Sequence, residues 1–171
     1  MRMKPPWWIA PVLLFLAAVV QASLLPALGL IRVRPELVLV AVVIWAVLRG
    51  VREALPWAFA GGLLLDLFSH SPLGTASLAL LLVALCASVG EASVFRTSFL
   101  LPTVIVFWAG VLYGVLYLFL LRTHQVPVEW IGTLRHSVVP SAILSAVCAP
   151  AAYWVLSRVE RATRVVKPVE W

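Results

Sequence analysis

The chain has 171 residues, 63% hydrophobic and only 12% charged, with a net charge of +6 and a mean hydropathy of +1.06. A soluble domain is about half apolar and about one quarter charged, so this composition excludes a soluble catalytic domain and describes an integral membrane protein. The basic residues lie between and after apolar segments, which ties them to topology and anionic headgroups rather than to nucleic acid.

The sequence predicts an all-α polytopic bundle of six transmembrane helices, at about 7–30, 35–48, 54–68, 72–90, 99–121 and 137–157. They form a single integral membrane domain, 1–171, that ends in a basic tail, 158–171. The first segment follows Arg2 and Lys4, and Val20-Gln21-Ala22 faintly resembles a signal-peptidase site. Its apolar run of about 20 residues suits a span better than the short apolar core of a leader. The second and third segments are too short to cross about 30 Å of hydrocarbon unaided, so they need flanking residues, a thinned bilayer or shielding neighbours.

The third segment contains Gly61-Gly62-Leu63-Leu64-Leu65-Asp66, and Asp66 is the acid that stands out within an apolar segment. It is expected near the end of its helix, where the macrodipole disfavours a carboxylate. Either it orders the 69–71 turn or it pairs with Arg32, Arg34, Arg122 or Arg135, and proton handling is the lesser reading. Ala58, Gly62 and Asp66 share one helix face, on which small residues permit close helix approach. Ser71-Pro72 reads as N-cap and first residue of the fourth helix. The fifth segment carries a second small-residue face, Gly110-xxx-Gly114, beside Tyr113 and Tyr117. These faces are candidates either for packing within the bundle or for receiving another protein's transmembrane helix.

Arg158, Arg161, Arg164 and Lys167 continue the sixth helix as a basic stripe suited to anionic lipid, with Glu160 spaced to pair with Arg164. The short connections make successive helices antiparallel neighbours. Nine Lys and Arg residues then fall on the side of the termini and four on the other, so both termini are expected in the cytoplasm. Trp7, Trp8, Trp45, Trp57 and Trp154 cluster toward the same side, as an aromatic belt would. Cys86 and Cys148 are expected as buried free thiols, and His70, His124 and His136 as solvated loop residues. No Ser/His, paired-acid or metal-binding arrangement is legible, so the expectation is a protein that is not an enzyme and carries no metal or cofactor.

The middle of the chain resembles a known family. Arg34-Pro35-Glu36-Leu37 opens an aliphatic helix, a cationic turn follows, then Phe59-Ala60-Gly61-Gly62-Leu63-Leu64-Leu65-Asp66-Leu67, then Leu73-Gly74. This stretch, about 34–90, is similar to the rod shape-determining MreD proteins, with Gly61, Gly62, Asp66 and Gly74 as its informative points; Glu36 stands where Asp is more usual. The resemblance implies a multi-pass protein of the bacterial inner membrane and a non-enzymatic scaffold for cell elongation and peptidoglycan synthesis. Its implied partner is an MreC-like bitopic protein and, through it, a RodA-like glycosyltransferase, a class B penicillin-binding protein and MreB filaments. The rival reading is a substrate-capture subunit of an energy-coupling-factor vitamin transporter. That role calls for an outward pocket of polar and aromatic side chains. The sequence offers Trp130, His124, Gln125 and Arg135 in one loop and little polarity within its helices.

Overall fold

A computed structural model describes residues 9–21, 35–68, 72–89, 100–123 and 130–163. Among them the chain forms six helices and no strand. They are α1 (Ile9–Val19), α2 (Leu37–Arg49), α3 (Val51–Phe68), α4 (Thr75–Val89), α5 (Leu100–Thr123) and α6. The last is a rod built from Trp130–Thr133, a π-helical stretch Leu134–Val138, and Val139–Thr163.

The architecture is organised around α2. Its sequence, Leu-Val-Leu-Val-Ala-Val-Val-Ile-Trp-Ala-Val-Leu-Arg, is apolar on every side. Such a helix belongs in an interior, and Val38, Leu39, Val40, Val42, Val43, Ile44, Trp45 and Ala46 are all buried. The other five helices pack against it directly or through α3 and α4. At about 1.5 Å per residue, α2 is about 20 Å long, less than the hydrocarbon thickness. Its neighbours sheathe it, which is one of the three solutions open to a short apolar segment.

One residue separates α2 from α3. Gly50 adopts φ 79°, a conformation that suits glycine, and its N–H donates to the Ala46 carbonyl at 2.8 Å. Because this single glycine reverses the chain, α3 starts at Val51 and takes Arg52 and Glu53 into its first turn, earlier than the expected 54. α6 also starts before its expected bound of 137. Its first turn sets Trp130 5.8 Å from the Arg122 guanidinium, and a π-helical stretch carries the rod on to Val139, so part of the expected 122–136 connection is helical. At its other end α6 runs to Thr163 and includes Arg158 and Arg161. Arg164 and Lys167 lie outside the described residues.

Two segments, Leu101–Thr123 and Trp130–Arg161, are long and apolar enough to cross a membrane. The outer surface is apolar along several helices. Phe59, Leu63 and Leu67 line α3, Leu78, Leu82 and Leu85 line α4, Val104, Trp108 and Phe119 line α5, and Ile143 and Val147 line α6, all exposed. A water-soluble protein would not present such a surface; a lipid-facing one does. Cys86 lies on this surface, so the expectation that both thiols are buried is corrected for it, while Cys148 is half-buried. Trp45 departs from the aromatic belt. Its ring is buried and stacks on Trp57, with ring centroids 4.5 Å apart, because α2 is interior over its whole length. Trp154 is exposed, and Trp7 and Trp8 lie outside the described residues.

Candidate functional site

Asp66 lies one turn from the end of α3 and is buried, at 2% exposure. Both carboxylate oxygens accept hydrogen bonds from the start of α4. Oδ1 accepts the Ala76 N–H at 2.9 Å. Oδ2 accepts the Gly74 N–H at 2.9 Å, the Ser77 N–H at 3.3 Å and the Ser77 hydroxyl at 3.2 Å. A helix leaves its first amides without partners, and a side chain at the N-cap position usually satisfies them. Here that position is Gly74, which has no side chain and sits at φ +98°. Asp66 supplies the cap from the preceding helix. The Ser71-Pro72 cap expected from the sequence is therefore replaced: α4 begins at Thr75, whose hydroxyl donates to the Pro72 carbonyl at 2.8 Å, and Ser71 lies outside the described residues. The dipole penalty expected at the end of α3 is opposed by the positive N-terminus of α4, which faces the same carboxylate.

Gly62 explains how the carboxylate reaches α4. A Cβ on Gly62 would lie 2.3 Å from Ser77 Cα and 2.6 Å from Ser77 N, so the two helices touch backbone to backbone one turn from the cap. Gly61 faces the other way, and its Cβ would meet Val38 at 2.7 Å and Leu14 at 3.3 Å. Ala58, one turn before Gly62 on the Gly62–Asp66 face, is also buried. On α5, Gly110 lies against Ala142, and Gly114 receives the Val138 side chain at a would-be Cβ distance of 2.3 Å. The small residues of both faces are thus enclosed by the chain's own helices, so a partner helix has no open small-residue face at these positions. Gly74 differs from the rest. A Cβ there would meet nothing within 4 Å, and its role is its backbone conformation.

Sequence reasoning missed a second acid. Glu36 precedes α2, and the start of that helix is held by side chains from two others. The Glu36 N–H donates to Ser145 Oγ of α6 at 2.9 Å, and the Val38 N–H donates to Gln21 Oε1 at 2.9 Å. The residue as a whole is only half-buried, but its Oε2 is sealed from solvent and meets no hydrogen-bond donor. The signal was present, because Glu36 falls inside the expected 35–48 segment. It reads as a helix-opening residue until the helix is seen to begin within the bundle.

At the other end of α2, the Arg49 guanidinium donates to both Glu53 carboxylate oxygens at 3.2 Å and to the Glu160 carbonyl at 3.4 Å, and lies 5.3 Å from the Trp45 ring. Glu160, expected on a solvated stripe, is buried. Arg158 and Arg161 are exposed, and Arg158 lies 4.8 Å over Trp154. His136 is exposed, and His70 and His124 lie outside the described residues.

This arrangement is one of caps and close helix approaches. A family model described as rod shape-determining protein MreD matches residues 1–157. The chain belongs to the MreD family. Membership assigns it to rod-shape determination, in a family of shape-determining structural proteins, and agrees with the apolar exterior in giving it a membrane location. Comparisons with curated proteins and with solved structures give no match. Of the residues that carry the MreD resemblance, Gly62, Asp66 and Gly74 build the joint between α3 and α4, and Gly61 packs α3 against Val38 of α2 and Leu14 of α1.

Proposed function

We propose that this MreD-family chain is a non-enzymatic, multi-pass scaffold of the bacterial inner membrane that binds an MreC-like bitopic protein. Through that protein it would connect a RodA-like glycosyltransferase and a class B penicillin-binding protein to MreB filaments. The observation that carries the reading is the family match over residues 1–157. The side chains with the most built surroundings support it: Asp66 orders a helix start, and the glycines set helix spacing. With both small-residue faces enclosed, a partner's transmembrane helix would meet the outer apolar surface instead, and the exposed Arg52, Arg158 and Arg161 would meet anionic headgroups.

The test is co-expression of the tagged chain with the MreC-like protein of the same cell, followed by solubilisation and affinity purification. The expected outcome is a stoichiometric complex that survives washing, together with loss of rod shape when the chain is depleted. Recovery of an ATPase pair in place of the bitopic protein would overturn the scaffold reading in favour of a transporter subunit.

A further inference from the structure

The start of α2 is an unusual place for a carboxyl group. Ser145 lies well inside the long α6 span, so Glu36, bonded to it through its backbone, is at depth in the bundle rather than at an aqueous edge. The polar side chains that meet this helix start are neutral: Gln21 from α1 takes the Val38 amide and Ser145 from α6 takes the Glu36 amide. Neither reaches Glu36 Oε2, which is enclosed without a donor. Among the described residues, the titratable group that shares its surroundings is Tyr113 of α5, which Asp66 of α3 also approaches. The charges of both acids act on the Tyr113 phenol, with Tyr117 next along α5. Among the described residues no ion pair to Glu36 is present. The nearest cation on its own helix is Arg49, at the opposite end and bonded to Glu53 and the Glu160 carbonyl. The positive end of the α2 dipole favours a carboxylate there, but by less than it costs to enclose one without a donor.

We propose that Glu36 is a proton-binding site in the interior of the bundle, and that loss of its proton loosens the start of α2 from Gln21 and Ser145. The ligand is the proton itself. With it, the carboxyl is a neutral group that the apolar surroundings accept. Without it, a charge appears where the described residues provide no counter-charge and Oε2 has no donor. The direction of the effect follows from linkage. An unfolded chain exposes the Glu36 carboxyl to water in either form, whereas these surroundings accept the neutral form, so the folded state loses stability as pH rises.

The experiment compares the full chain in lipid nanodiscs with Glu36→Gln, which keeps the shape of the neutral acid and cannot ionise. Thermal unfolding is followed from about pH 5.5 to about pH 8.5. The expected result is that the melting temperature of Glu36→Gln rises relative to that of the wild type by about 4 °C or more between the acid and the alkaline end of this range. Taking the difference between the two cancels every contribution that the two proteins share. Asp66→Asn and Tyr113→Phe, each measured with and without Glu36→Gln, are expected to leave that pH-dependent difference in place. A difference that does not change with pH overturns the proposal. So does its disappearance in either background, which would assign the proton to Asp66 or Tyr113. Failure of Glu36→Gln to fold where the wild type folds also overturns it, since a site that holds the neutral acid tolerates the amide.

Discussion

Asp66 shows how much one side chain can settle. Its two oxygens accept from the Gly74, Ala76 and Ser77 amides and one hydroxyl, so a side chain of α3 caps the start of α4. Asn at this position keeps one acceptor and turns an amide NH2 toward amides that are themselves donors. Asp66→Asn should therefore lower stability by about 1–3 kcal/mol, read as an unfolding temperature about 2–4 °C lower per kcal/mol. Asp66→Leu, which leaves every one of these donors unsatisfied, should cost more than Asn. A melting temperature unchanged in both variants would show that the cap contributes nothing. The residue was visible in the sequence as an acid beside a glycine pair. Its ligands were not, because the capping partner of Gly74 comes from eight positions earlier on another helix. A local N-cap pattern points to Ser71 instead.

At the scale of the helix, glycine sets distance. The contact at Gly62 is with backbone atoms of α4, which cannot step aside, whereas the contact at Gly110 is at 3.1–3.2 Å with Ala142. Gly62→Ala should therefore be destabilising at the upper end of overpacking costs, about 3 kcal/mol, and Gly110→Ala at the lower end, about 1 kcal/mol or less. Paired thermal-denaturation curves in one detergent check the order, and a Gly110 variant worse than the Gly62 variant would contradict it. Periodicity made both small-residue faces legible, since i, i+4 spacing shows which residues share a stripe. It does not say whose helix fills the stripe. The helix limits were less legible where turn chemistry is minimal: one glycine replaces a connection between α2 and α3, and a π-helical stretch extends α6 past its apolar boundary.

At the scale of the molecule, the described arginines separate into two groups. Arg49 and Arg52 at the α2–α3 turn adjoin Arg158 and Arg161 at the end of α6, through the Arg49–Glu160 bond. Arg122 lies near Trp130 at the start of α6, with Arg135 one turn on. This partition is the one the nine-to-four distribution of Lys and Arg anticipates, and the expectation to be tested is that the basic-rich end is cytoplasmic. The check is a chain with Cys86 and Cys148 replaced by Ala and a single cysteine placed at Arg2 or Lys167. Both positions should react with a membrane-impermeant thiol reagent only after the cells are opened, and labelling of either from outside would reverse the topology. Composition alone was enough to identify a membrane bundle, because so low a charge density leaves no other class. The burial of Trp45 and Glu160 was not legible, since a residue at a helix end reads as interfacial until its helix is known to be central.

The anchoring of α2 also bears on the order in which the chain can be assembled. Its start is tied to Ser145 across 109 residues and its end to Glu160 across 111. A ribosome therefore releases this central helix long before the α6 groups that hold its two ends exist. Until α6 arrives, the newly made first half must keep a short helix in or near the bilayer without its final sheath, and the last stretch synthesised completes the centre of the protein.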